Sequence, residues 1–130
     1  MTSAELTIAI VDDDETVRRA LRRMITSFSY SSLEFASGEA LLTSQDLRRL
    51  SCVLLDLHMP GLNGIDVLHR MRGQGHAVPI IIITGGDQPK LRQKCMSAGA
   101  SGYFVKPVDR DAVLSMIQSF LGKPLPKMTS

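Results

Sequence analysis

Three features of the sequence predict an α/β domain in which a parallel sheet is covered by helices on both faces. Short runs such as Leu6 to Val11, Cys52 to Leu55 and Val78 to Ile83 are apolar without alternation, the pattern of strands buried on both faces. Between such runs, apolar residues recur at helical spacing, as Val17, Leu21, Met24, Ile25 and Phe28 do. The two patterns alternate along the whole chain. Each crossover between parallel neighbours needs a helix, so five strands alternating with five helices specify a doubly wound sheet with right-handed connections. A length of 130 residues suits one domain of this kind.

The first strand, Leu6 to Val11, ends at the acidic run Asp12-Asp13-Asp14-Glu15. Asp13 or Asp14 can cap the first helix, and Glu15 suits its positive end. The polar face of that helix carries Arg18, Arg19, Arg22 and Arg23. Leu33 to Ala36 is a weaker strand signal, and Ser37-Gly38-Glu39 opens a second helix with Ala40, Leu41 and Leu42. The third strand runs from Cys52 into Asp56, after which Pro60, Gly61 and Gly64 forbid continuation as strand or helix. A third helix starts at Gly64, turns Ile65, Leu68 and Met71 inward, and stops at Gly73 and Gly75.

Val78 to Ile83 forms the fourth strand and ends at Thr84-Gly85-Gly86. Pro89 belongs in the first turn of a fourth helix, capped by Asp87 or Gln88 and finished at Ala98-Gly99. Gly102 to Val105 is the fifth strand, closed by Lys106-Pro107. Asp109 caps a last helix carrying Val113, Met116, Ile117, Phe120 and Leu121, and the stretch Gly122 to Pro126 breaks it. The strand order expected of this alternation is the flavodoxin-like 2-1-3-4-5.

Composition narrows the function. With 44% hydrophobic and 22% charged residues the chain is a globular one. A net charge of +2 without a basic arm gives no electrostatic footprint for nucleic acid. Cys52 and Cys95 make no ligand pattern and read as reduced core thiols. No run approaches the roughly 20 apolar residues of a membrane helix, which points to a soluble, cytoplasmic protein with no membrane partner.

The strand ends carry the chemistry. Ligands of doubly wound sheets gather beyond the carboxyl ends of the strands, and there stand Asp12, Asp13, Asp14, Asp56, Thr84 and Lys106. Converging carboxylates raise one another's pKa unless a cation joins them, and an all-oxygen set suits Mg²⁺. A metal-bound carboxylate beside a hydroxyl and an ammonium is equipped to receive a phosphoryl group. Gly85 and Gly86 leave room for its oxygens.

Taken in order, Ile-Val-Asp-Asp-Asp (10 to 14), Asp-Leu-His-Met-Pro-Gly-Leu-Asn-Gly (56 to 64), Thr-Gly (84 and 85) and Ala-Gly-Ala-Ser-Gly-Tyr-Phe-Val-Lys-Pro (98 to 107) resemble the receiver domain of bacterial two-component response regulators. The resemblance covers residues 6–121 as the receiver and leaves 122–130 as a tail or the start of a linker. It implies that Asp56 is the phosphoacceptor, with Thr84 and Lys106 beside it as catalytic hydroxyl and ammonium. Asp12 and Asp13 form the acidic pair, and Mg²⁺ sits on Asp13, Asp56 and the backbone carbonyl of His58; Mn²⁺ or Ca²⁺ could substitute in vitro. Tyr103 resembles the aromatic switch that follows Thr84, and the Lys106-Pro107 bond is expected to be cis.

Function follows as a resemblance as well. A sensor histidine kinase or phosphotransfer protein donates the phosphoryl group, and the chain catalyses only its own phosphoryl transfer and slow autodephosphorylation. The arginine face of the first helix is either a solvated surface or a docking surface for the kinase. A homodimer formed on phosphorylation is an open alternative, and DNA would be reached only through an output domain absent from this chain.

Two other readings compete. Asp12-x-Asp14-x-Thr16 formally matches the nucleophile motif of haloacid-dehalogenase-like phosphatases, although it leaves Asp56 and the turn after it unexplained. A receiver-like binding module without phosphorylation is the other, and the full set of acids, Thr84 and Lys106 weighs against it.

Overall fold

The computed structural model describes residues 6–122. Its elements are β1 (Thr7–Val11), α1 (Glu15–Ser27), β2 (Ser31–Phe35), α2 (Gly38–Leu42), β3 (Cys52–Leu55), α3 (Gly64–Gly73), β4 (Ile80–Thr84), α4 (Leu91–Ser97), β5 (Gly102–Val105) and α5 (Arg110–Leu121). All neighbouring strands pair in parallel in the order β2-β1-β3-β4-β5, as the alternation predicts.

The unbroken apolar runs conceal a period of two that only the two-layered core uses. Ala9, Val11, Val53, Leu55, Ile80 and Ile82 face one layer, packed with Leu41, Val67, Leu68, Met71 and Cys95 from α2, α3 and α4. Ile8, Ile10, Cys52, Leu54, Ile81 and Ile83 face the other, with Leu21, Ile25, Val113 and Ile117 from α1 and α5. Every residue of β3 and β4 is therefore buried. The edge strands β2 and β5 are only partly so.

Several local expectations are corrected. β4 begins two residues later than the apolar run, after Pro79, and extends through Thr84. The second helix is a single short piece, followed by a 3-10 turn at Leu47–Arg49 that the sequence reading lacks. Asp87 does not cap α4; its carboxylate is taken by the Tyr103 hydroxyl, and Lys90 precedes the helix in a left-handed conformation without a side-chain cap. In the last helix the buried stripe runs through Val113 and Ile117, and Phe120 is exposed. Pro124-Leu125-Pro126 lies outside the described residues.

One arginine ties two loops at the far edge of the sheet. Arg72 donates to the carbonyls of His76 (2.7 Å), Val78 (2.9 Å) and Gly99 (2.8 and 3.0 Å). Gly99 adopts φ +109, and a Cβ there would stand 2.7 Å from the Arg72 side chain, so glycine is required on both counts. Arg72→Ala is expected to cost about 2–3 kcal/mol in urea denaturation, the scale of hydrogen bonds from a charged donor. It is expected to leave the strand ends opposite unchanged.

Candidate functional site

The strand order reverses between β1 and β3, and at such a switch point a crevice opens outside their carboxyl ends. The site fills it. Among the described residues the buried polar ones are Asp12 after β1, Asp56 after β3 and Thr84 at the end of β4, at 2%, 7% and 0% exposure.

Asp12 is held on every side. Its N–H donates to the Phe35 carbonyl at 3.1 Å, and its Oδ1 accepts from the Asp14 N–H at 2.9 Å. Lys106 Nζ donates to its Oδ2 at 3.0 Å and lies 3.7 Å from Asp56 Oδ1. Lys106 is itself placed by its N–H, which donates to the Thr84 carbonyl at 2.7 Å, and its peptide bond to Pro107 is cis. Thus one ammonium faces two carboxylates.

Asp13 stands exposed at the rim, and oxygens of Asp12, Asp13 and Asp56 lie within 4.8 Å of one another. Asp14 stays out of this group: it accepts the Thr16 N–H at 2.8 Å and caps α1. That removes the second acid of the dehalogenase-like motif from the centre. Burial, reinforced by Asp12 and Asp13, raises the Asp56 pKa above the usual carboxylate range; Lys106 and a hydrogen bond from the His58 backbone oppose the rise. Such a set, all hard oxygens with more negative charge than Lys106 balances, fits a small divalent cation.

The turn that presents Asp56 is tight. Gly64 N–H donates to the Leu57 carbonyl at 3.0 Å, and Asn63 with Asp66 forms a capping box at the start of α3. A Cβ on Gly64 would come within 2.7 Å of the Asp56 carbonyl oxygen.

Thr84 reaches the crevice, but its hydroxyl is engaged with its own loop. It donates to the Gly86 carbonyl at 3.3 Å and accepts the Gly86 N–H at 3.2 Å. Tyr103 is half-buried, and its hydroxyl donates to Asp87 Oδ1 at 2.8 Å. Burial and that carboxylate push its pKa up to about 12. The loop after Thr84 is thereby tied to both Thr84 and Tyr103.

Of the residues the sequence reading named, the fold brings Asp12, Asp13, Asp56 and Lys106 together, while the Lys106 N–H donates to the carbonyl of Thr84. The sequence reading missed the contact between Asp87 and Tyr103. Nor does the arginine face stand free. Arg18 and Arg22 pair with Glu34 at 3.4 and 3.0 Å, and Arg19 pairs with Glu15 at 3.3 Å.

A receiver-domain family model for response regulators matches residues 8–118. The transcriptional regulatory protein FixJ of Bradyrhizobium diazoefficiens is 32% identical over 123 residues, which cover 95% of this chain and 60% of that protein. The response regulator MprA of Mycobacterium tuberculosis is 35% identical over 121 residues, 92% of this chain and 52% of that one. The chain therefore spans between half and three-fifths of the length of these relatives. The receiver domain of the sensor histidine kinase PA1611 from Pseudomonas aeruginosa, solved with a magnesium ion coordinated in its active site cleft, superposes with a TM-score of 0.81 at 27% identity, over 91% of this chain and 98% of that one. With its sheet order, its crevice acids and a family match across nearly its whole described length, the chain belongs to the receiver domains of two-component response regulators.

Proposed function

We propose that Asp56 accepts a phosphoryl group from a phosphohistidine on a sensor histidine kinase or phosphotransfer protein. The observation that carries this reading is the placement of Lys106 Nζ between Asp12 and Asp56, beside a buried carboxylate in a crevice of acids. An Asp56 oxygen attacks phosphorus, the phosphorus–nitrogen bond breaks, and the electron pair leaves on that imidazole nitrogen, the ring being neutral when its other nitrogen carries a proton.

Lys106 shifts from Asp12 and Asp56 toward the transferred oxygens. Thr84 releases Gly86 to donate to one of them. Asp12, Asp13, Asp56 and the His58 carbonyl would hold Mg²⁺, which supplies positive charge at the equatorial oxygens. Tyr103 then leaves Asp87 as the loop follows Thr84, and this rearranged surface is the signal.

The chain acts as a switch that catalyses its own phosphoryl transfer and slow dephosphorylation. Residues 6–121 make up the receiver, and 122–130 form a tail or the start of a linker. Its setting is the cytoplasm; among the described residues no helix is long and apolar enough to cross a membrane. DNA reached through an output domain belongs to the same reading, supported by relatives that are longer regulators, and dimerisation on phosphorylation is part of the proposal.

Incubation with acetyl phosphate and Mg²⁺ is expected to add one phosphoryl group to the intact mass, and EDTA to prevent it. An unchanged mass at saturating donor and metal would sink the reading.

A further inference from the structure

We propose that Arg18 is a positioning residue for the metal-binding acids, holding Asp12 through its main chain and taking its own orientation from Glu34 on β2. This rests on the reading of the crevice as a Mg²⁺-dependent phosphoacceptor site.

Arg18 Nη1 donates to the Asp12 carbonyl at 2.8 Å, six residues back along the chain. Helical side chains lean toward the N-terminus, so a long one in the second turn of α1 can reach the β1 exit. The placement is costly on helix grounds alone. A guanidinium beside the positive end of a helix is unfavourable, and Arg18 is also largely covered, its side chain 15% exposed.

Two acceptors offset that cost: the Asp12 carbonyl and Glu34 Oε1, 3.4 Å from Nε. Glu34 is steadied in turn by Arg22, whose Nη1 lies 3.0 Å from Oε2 and whose side chain is 49% exposed. Register places Glu34 beside Ile10 and Phe35 beside Val11, and the Phe35 carbonyl receives the Asp12 N–H. Arg18 and β2 therefore grip the Asp12 peptide groups from both sides.

The grip uses no carboxylate oxygen. Lys106 and the Asp14 N–H occupy Oδ2 and Oδ1, the atoms that would be redistributed when a cation binds. The Arg18 contact survives such a rearrangement and fixes where the Asp12 side chain starts. Lysine cannot reproduce it, since one ammonium lacks the fork that faces a carbonyl and a carboxylate together.

Electrostatics and positioning predict opposite signs. Removing a nearby cation by charge alone would tighten Mg²⁺ binding, whereas loss of the brace loosens it. Calorimetric titration of wild type, Arg18→Gln and Arg18→Lys with Mg²⁺ reads the difference. Arg18→Gln is expected to weaken Mg²⁺ roughly tenfold, the low end for lost outer partners of metal ligands. Arg18→Lys, which keeps the charge and loses the fork, is expected to fall between it and wild type, and it carries the test if Arg18→Gln does not fold. The Asp13 amide nitrogen resonance should move in Arg18→Gln without metal, because its peptide group loses the Arg18 bond. Affinity equal to or tighter than wild type in these variants overturns the inference alone; a wild-type chain that binds no Mg²⁺ overturns the reading of the site and this inference together.

Discussion

Asp56→Asn is expected to gain no mass from acetyl phosphate and Mg²⁺, and without metal at neutral pH to unfold at a higher temperature than wild type. The loss of phosphorylation is expected to be complete, because an amide oxygen is a poor nucleophile. The gain in stability follows from the pKa. Asp56 titrates above its unfolded value, chiefly through burial, so the folded state binds its proton more tightly. That contribution is fully present below the unfolded carboxylate pKa and is lost as pH rises through the higher folded one.

Ionising Asp56 as pH rises is therefore harder in the folded state than in the unfolded chain, and asparagine removes that cost. The gap between variant and wild type in thermal circular dichroism should shrink as pH is lowered toward 4, near the ordinary carboxylate value. Mg²⁺ should raise the melting temperature of wild type more than that of the variant. A wild type more stable than Asp56→Asn at neutral pH, metal-free, would contradict this account of the crevice.

Gly64→Ala is expected to carry the largest stability loss at the site, about 1–3 kcal/mol in urea, with Gly64→Val worse. The new Cβ meets backbone, 2.7 Å from the Asp56 carbonyl oxygen and 2.9 Å from the Leu57 Cα. A rotamer change cannot relieve a clash with main chain. The β3–α3 turn must shift, and Asp56 with it, so phosphorylation should slow by more than stability alone accounts for. Unaltered stability and phosphorylation in Gly64→Ala would show that the turn has slack that its contacts do not suggest.

Much of this was legible because burial on both faces leaves a crude signature. The runs around Val53 and Ile81 need no partner information to be recognised as central strands, and their polar end residues mark the crevice. Pairwise contacts across the fold were not legible. Asp87 looked like a helix cap because sequence offers it a neighbouring helix, while its partner, Tyr103, is sixteen positions away. Arg18 looked like one of four equivalent surface arginines, since nothing local shows that β2 brings Glu34 beside it. Phe120 fits a helical stripe by spacing, yet α5 offers the core a narrower face than its apolar content.

The clamp made by Arg72 has a consequence for how α4 breathes. Its last turn leads into Gly99, whose carbonyl takes two bonds from that guanidinium, whereas its first turn follows Lys90 with no side-chain cap. Amide protons should then exchange with deuterated solvent along a gradient within this one helix, fast near Leu91 and slow near Cys95. Such a gradient would make α4 open as a flap from the end that adjoins the loop leaving Thr84.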